Sequence, residues 1–345
     1  MRRSVRDISR GVFVLIIVST ILGAVYELIG RRRAATEFPV TGELVDIGGR
    51  RIQLDCRGFG KPTVVFESGL DLIGSLSWAT IHDQIAKTTR ACAYSRAGIM
   101  WSDPSGGAQN GKTIAEDLHL TLLNAGEKPP YVLVGHSMGG PYIMIYTKYF
   151  GPEVAGLVFV DASHPDEVER LKAITPLTQP VWMRLMAKAG AALAWTGMTR
   201  GIVVPLLEKS ARAYWRLNTW PAFVSHAVLA YTPACLNSML NETDAFEESL
   251  AEAGTARQLN DRPVFVLTGM EPLSAEILAY FKLTPVQGRH YQEIWKSMHD
   301  DEASWSTQSQ HQVLFDAGHY IQFDQPDAVI SAVLSIVNRV RAAGN

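Results

Sequence analysis

One serine stands among glycines in Gly135-His136-Ser137-Met138-Gly139-Gly140, directly after the apolar run "YVLV". A serine hydroxyl is a weak nucleophile at neutral pH. It needs a base within hydrogen-bond reach and an acid behind that base to orient it. It also needs N–H donors aimed at the oxygen that gains negative charge. A G-x-S-x-G sequence serves this purpose when a strand precedes it and a helix follows. The turn between them then holds the serine in a strained conformation and leaves no room for side chains at the flanking positions. That context is present, and Ser137 is the candidate nucleophile.

The base is expected late in the chain. "LFDAGHYIQFDQP" places His319 on a loop between an apolar run and a closing helical pattern. His136 occupies the variable position of the serine motif and is expected to pack, His119 falls on a helix directed away, and His164 opens an intervening segment. Two acids qualify as the orienting group: Asp161, ending the apolar run in "VFVDASHPD", and Glu271, after the next such run in "VLTGMEP". Either keeps the chain order serine, acid, histidine. For the oxyanion, the expected donors are the backbone N–H of Met138 and that of Leu70 in "ESGLD", where Ser68 and Gly69 permit a close backbone approach.

These residues must be positioned by an alternation of strands and helices, the pattern of a mostly parallel sheet covered on both faces. Strands are expected at 51–56, 62–67, 90–95, 131–136, 155–161, 262–269 and 311–316. Helical periodicity marks 113–126, 138–151 and 326–341. Residues 163–262 have a different, mainly helical character and are expected to form a cap inserted between 36–162 and 263–345. Trp182, Trp195, Trp215 and Trp220, with Met183, Met186 and Met198, lie in it. Such a stripe serves as core, or as a cleft wall suited to an apolar substrate.

The first 35 residues stand apart. "GVFVLIIVSTILGAVYELIG" at 11–30 carries one charge, Glu27, and is flanked by arginines. About 20 apolar helical residues cross a bilayer core of about 30 Å. A removable signal sequence has an apolar core of about 7–15 residues followed by a small-residue cleavage site. The longer run without that site reads as an uncleaved membrane anchor. Arg2, Arg3, Arg6 and Arg10 precede it and Arg31, Arg32 and Arg33 follow. That count leans toward a cytoplasmic amino terminus with the remainder on the far side.

Across its 345 residues the chain is 47% hydrophobic and 19% charged with a net charge of −2, which fits a sizeable core and argues against nucleic acid as a partner. Three cysteines show no metal-ligand spacing and permit at most one intramolecular bridge; Cys235 is expected to be a buried free thiol, while Cys56 and Cys92 both fall in expected strands and would be able to pair only if those strands are neighbours.

With these residues in place, the chain resembles the α/β-hydrolase superfamily over residues 40 to 343. The resemblance rests on "LDCRGFGKPTVVFESG", "YSRAGIMWSDP", "LVGHSMGG" and "AGHYIQFDQP", in that order. It implies an eight-stranded, mostly parallel sheet flanked by helices, a helical cap after the sixth strand, and a serine mechanism that needs no cofactor or metal. It also implies Ser137 as nucleophile and His319 as base. Three departures stand out. Ser68-Gly69, preceded by Glu67, replaces the usual His-Gly of the oxyanion loop, and Ser95 replaces an aspartate in a change of turn bonding. Pro272 occupies the place of the superfamily's commonest acid. Some members take the acid from the end of the preceding strand, where Asp161 stands; Asp161 is therefore preferred, with Glu271 as the alternative. The activity implied is hydrolysis of an ester or related acyl bond through an acyl-enzyme, as in carboxylesterases and lipases. An acyltransferase and a non-catalytic ligand-binding protein are the alternatives. A serine in this position argues against dehalogenase and epoxide-hydrolase chemistry, which need a carboxylate there.

Overall fold

A computed structural model describes residues 2–175, 181–206, 208 and 219–343 of the chain. Eight strands form one sheet: β1 (Glu43–Asp46), β2 (Arg51–Arg57), β3 (Thr63–Glu67), β4 (Ala91–Ser95), β5 (Tyr131–His136), β6 (Val154–Val160), β7 (Val264–Gly269) and β8 (Ser309–Leu314). Their spatial order is β1-β2-β4-β3-β5-β6-β7-β8. The β1–β2 and β2–β4 pairs are antiparallel, and every later pair is parallel.

Strands β3 to β6 are covered on both faces, which is why they read as unbroken apolar runs instead of alternations. Side chains still alternate between two cores. Leu133 joins Leu118 and Leu122 of α3 (Gly111–Asn124) and Ile143 of α4 (Gly139–Phe150) on one face. Val132 and Val134 join Val333 and Ile336 of the closing helix, Pro326–Ala343, on the other.

The seven strands and three helices expected from periodicity appear with ends shifted by a few residues. The eighth strand of the expected sheet, β1, was not placed by periodicity. It is four residues long and mostly exposed, so its pattern resembles a loop until it pairs with β2. Cys56 lies directly opposite Cys92 in the β2–β4 register, and the two form a disulfide, while Cys235 is a buried free thiol.

The chain between β6 and β7 is mainly helical where it is described. It contains α5 (Glu167–Leu171), α6 (Val181–Ala192), α7 (Ala222–Asp244) and α8 (Phe246–Ala253). Trp215 lies outside the described residues. Trp220 is buried against Tyr320 and Phe323, whereas Trp195, Met186 and Met198 are exposed, so the aromatic and methionine set does not act as one stripe. Two further helices, α9 (Ala275–Phe281) and α10 (Pro285–Ser304), lie between β7 and β8.

Helix α1 runs from Arg2 to Glu37, well past the apolar run at 11–30, because the flanking arginines are good helix formers and no breaker occurs before Pro39. Its stretch from Ser9 to Glu37 is long and apolar enough to cross a membrane.

Candidate active site

Ser137 sits between β5 and α4 with φ of 52°, a left-handed conformation that costs a non-glycine residue about 1–3 kcal/mol. Neighbouring backbone holds it there. The Ser137 N–H donates to Val160 O, and its carbonyl accepts from Gly140 N and Ser163 N, both at 2.9 Å. The flanking glycines are sterically required. A Cβ at Gly135 would lie 2.5 Å from Gly139 O, and one at Gly139 would collide with Glu67 O. Gly140 has a packing purpose: a Cβ there would come within 2.5 Å of the Ala162 methyl.

His319 follows β8 on a short loop, and its Nδ1 lies 2.7 Å from Asp161 Oδ2. Asp161 ends β6 with φ of 43° and is buried. Its other oxygen, Oδ1, accepts from Gly269 N at 2.8 Å and Trp295 Nε1 at 3.1 Å. Burial alone would raise the Asp161 pKa. The hydrogen bond and charge of His319, the nearby His299 and the Gly269 N–H outweigh it and hold the carboxyl below its ordinary value. An ionised Asp161 keeps the proton on His319 Nδ1 and leaves Nε2 as the basic nitrogen.

His136, the motif's own histidine, lies behind His319 with ring centroids 4.7 Å apart and Nε2 2.9 Å from His319 O. Burial, reinforced by His319, lowers its pKa to about 3. It is therefore neutral, and its Nε2–H donates to that carbonyl. Of the other histidines weighed, the His119 ring stacks on Phe150 and the His164 ring bonds to Asp301. The alternative acid, Glu271, lies on the cavity wall with its backbone tied to Ala317 and Gln292, while His319 Nδ1 is bonded to Asp161.

Leu70 and Met138 border the same cavity as Ser137 and His319. Neither of their backbone N–H groups donates to a protein acceptor among the described residues. Gly69 permits this approach: a Cβ there would stand 3.0 Å from the Ser137 Cβ.

What fixes the Ser68–Leu70 loop is Arg96, a residue to which sequence reasoning gave no role. Its guanidinium donates to Glu67 Oε1 at 2.7 Å, Ser68 O at 2.8 Å, Gly69 O at 2.6 Å and Glu242 Oε2 of α7 at 2.8 Å. Glu67 also accepts from the Tyr94 hydroxyl. All four of these side chains are buried. Burial raises Glu67 to about 7, while the Glu242 and Glu67 charges keep Arg96 protonated against its own desolvation. The signal was available, since Arg96 directly follows β4 in "YSRAG", but a partner 146 positions away is invisible to spacing. Ser95 ends β4 and bonds across to distant segments, not within a turn, accepting from Ser75 N and donating to Gln53 of β2. Trp295 and Asp71 were also missed. Asp71 lines the cavity with Oδ2 buried and unpartnered, and burial raises its pKa to about 6.

The cavity measures about 1050 Å³. Its wall combines aromatic and aliphatic side chains, including Trp220, Phe246, Leu273, Phe281 and Tyr291, with further acids at Glu167, Glu276 and Asp324. A Cys56–Cys92–Glu127 cluster has metal-ligand residue types, but both sulfurs are committed to the disulfide.

Comparison with known proteins places the chain in a family. The curated relatives include the uncharacterized protein YbdG of Bacillus subtilis, 27% identical over 140 residues, or 38% of this chain. They also include the probable transporter efuK of Hormonema carpetanum, 25% identical over 327 residues, or 87% of this chain. The match spans only 43% of the length of each. Among solved structures, a thermophilic esterase from Thermogutta terrifontis aligns with a TM-score of 0.60 at 19% identity, covering 87% of this chain and 98% of its own. A putative epoxide hydrolase from Pseudomonas aeruginosa aligns at 0.62 and 18% identity, covering 89% and 98%. At such identities these two establish a common fold. The sequence profile of the Alpha/beta hydrolase family matches residues 35–332, and the chain belongs to that family.

Proposed function

We propose that this protein is a membrane-anchored serine hydrolase that cleaves an ester or related acyl bond. The observation that carries the reading is a single cavity bordered by Ser137, by the His319–Asp161 pair and by the uncommitted amides of Leu70 and Met138.

In the proposed mechanism Ser137 Oγ attacks the acyl carbon while His319 Nε2 takes the hydroxyl proton. The carbonyl oxygen becomes an oxyanion held by the Leu70 and Met138 N–H groups, and each such donor contributes about 2.7–4 kcal/mol in comparable sites. Asp161 stabilises the imidazolium and does not itself take the proton. Collapse of the tetrahedral intermediate breaks the bond to the leaving alcohol, which receives the proton from His319. Water, activated by the same nitrogen, then attacks the acyl-Ser137 ester and releases the carboxylic acid. The aromatic wall favours an apolar acyl group, and residues 163–262 act as the cap that closes the cleft. The epoxide-hydrolase-like fold does not redirect the reading, because Ser137 stands where that chemistry needs a carboxylate.

Helix α1 is read as the anchor, with the catalytic domain outside the cytoplasm. The Cys56–Cys92 disulfide supports that side, since structural disulfides persist in oxidising compartments.

Labelling with a fluorophosphonate probe, together with turnover of chromogenic esters of increasing acyl length, tests the proposal. Wild type should be labelled and active, and Ser137→Ala should be neither. A folded wild-type protein that does not react with the probe would instead point to a ligand-binding role.

A further inference from the structure

The helical insertion carries an apolar surface that neither the hydrolase core nor the cavity uses. Residues 194–202 lie alongside the carboxyl-terminal half of α1. Gly23 packs against the Thr196 carbonyl so closely that a Cβ would collide with it, and Gly197 packs back against Gly23 O and the Tyr26 ring. Further along, Gly30 lies against the Arg200 side chain, which a Cβ there would displace. Arg200 Nε donates to Glu27 Oε2 at 2.8 Å, and Arg31 Nε donates to Glu27 Oε1 at 2.8 Å. The one acid in the apolar span is thus buried and paired with two arginines. Those contacts fix the insertion rigidly to the helix.

Between the residues that touch α1, others turn away from it. Trp195 is 54% exposed, Met198 50% and Ile202 55%, and nearby Leu185 and Met186 of α6 are also exposed. Their position along α1 matters. The exposed apolar side chains of α1 run from Val12 to Ile29, and charge returns at Arg31. The contacts with the insertion begin at Gly23, seven residues before Gly30, which is about 10 Å of helix at 1.5 Å per residue. If α1 spans a bilayer, this part of the insertion lies within the last 10 Å or so of the apolar slab, the depth reached by interfacial elements that bury an apolar face. Tryptophan is enriched at that level.

We infer that the Trp195–Met198–Ile202 surface of the insertion is embedded in the lipid leaflet beside α1, so that the protein docks on the bilayer through two elements. The inference rests on the reading of α1 as a membrane span. The occupant is lipid, because the surface continues the lipid-facing side of α1 at the same depth and Glu27 is neutralised within the joint. The insertion also supplies Trp220 to the cavity wall, so one element touches both the bilayer and the substrate space.

Spin-label quenching in vesicles tests this with the full chain reconstituted into phosphatidylcholine and phosphatidylglycerol. An environment-sensitive fluorophore is placed on Trp195→Cys, Ile202→Cys, Ile17→Cys within α1, or Phe59→Cys. Phe59 is exposed on the turn before β3, at the opposite end of the strands from Ser137. Phosphatidylcholine spin-labelled on its acyl chain should remove most of the fluorescence at 17, 195 and 202 and little at 59. Quenching at 17 without quenching at 195 and 202 would overturn the docking surface and leave the anchor intact. No quenching at 17 would reject the anchor and the docking surface with it. Blue-shifted emission at 195 that is insensitive to spin-labelled lipid but depends on protein concentration would assign the patch to a second copy of the chain, again overturning the inference.

Discussion

The acid of the proposed triad offers the sharpest test, because Asp161 is bonded in a way that dictates what Asp161→Asn must do. One oxygen, Oδ1, accepts from two donors that have no alternative role, the Gly269 backbone N–H and the Trp295 indole N–H. The asparagine carbonyl must take that position, since an amide NH₂ there would face two donors in a buried site at a cost of about 1–3 kcal/mol each. Its NH₂ group then occupies the Oδ2 position, 2.7 Å from His319 Nδ1. A donor at that place forces Nδ1 to become the acceptor and moves the ring proton to Nε2. His319 is then in the tautomer that cannot take a proton from Ser137. Loss of this orientation costs about 10⁴ in kcat in a comparable triad, equivalent to about 5.4 kcal/mol of transition-state stabilisation. The expectation is a fall in kcat of about 10³–10⁴ with KM and thermal stability close to wild type, since the fold keeps its bonds to Gly269 and Trp295. Ester turnover and denaturation of the full chain in detergent micelles would measure both. Turnover within about tenfold of wild type, with loss of activity in Glu271→Gln instead, would refute the geometric argument.

Other perturbations have defined outcomes. Arg96→Met should destabilise the protein by about 3–5 kcal/mol in chemical denaturation, because it leaves Glu67 and Glu242 as unpaired buried acids. Gly135→Ala should cost about 3 kcal/mol and abolish probe labelling, since its methyl would meet the Gly139 carbonyl at 2.5 Å. Burial raises Glu167 from 4.5 to about 7, so the folded state holds that proton more tightly than the unfolded state. Its contribution is therefore fully present below pH 4.5 and falls through pH 7, by about 3 kcal/mol in all. Glu167→Gln should flatten that fall in denaturation midpoints measured between pH 4 and 8, and an unchanged slope would remove Glu167 as its source.

Local sequence was sufficient wherever the physics is local. The run "YVLVGHSMGG" specifies a doubly covered strand, a turn too tight for side chains and a helix, and all three are present. Apolar runs placed seven of the eight strands. The exception, β1, is four residues long with Val45 its one buried side chain, too short to show a period, and it becomes a strand only by pairing with β2. Periodicity also left the aromatic and methionine residues of the insertion as one set. Packing divided them, burying Trp220 beside the cavity and leaving Trp195 and Met198 exposed along α1.

The remaining decisions belong to the tertiary structure, because they join atoms far apart in the chain. Two acids satisfied the order serine, acid, histidine, and distance along the sequence could not separate them. Parallel pairing of β6 with β7 brings Asp161 against Gly269, and the loop after β8 brings His319 onto the same carboxylate. Likewise the sequence contained Arg96, Glu67 and Glu242 without any sign of a common partner. Only the crossing of α7 over the ends of β3 and β4 places both carboxylates around one guanidinium and fixes the loop that carries the Leu70 amide. The residue types and local conformations were determined by the sequence; which of them meet was decided by strand order and helix packing, since hydrogen bonds act over about 3 Å of space regardless of separation along the chain.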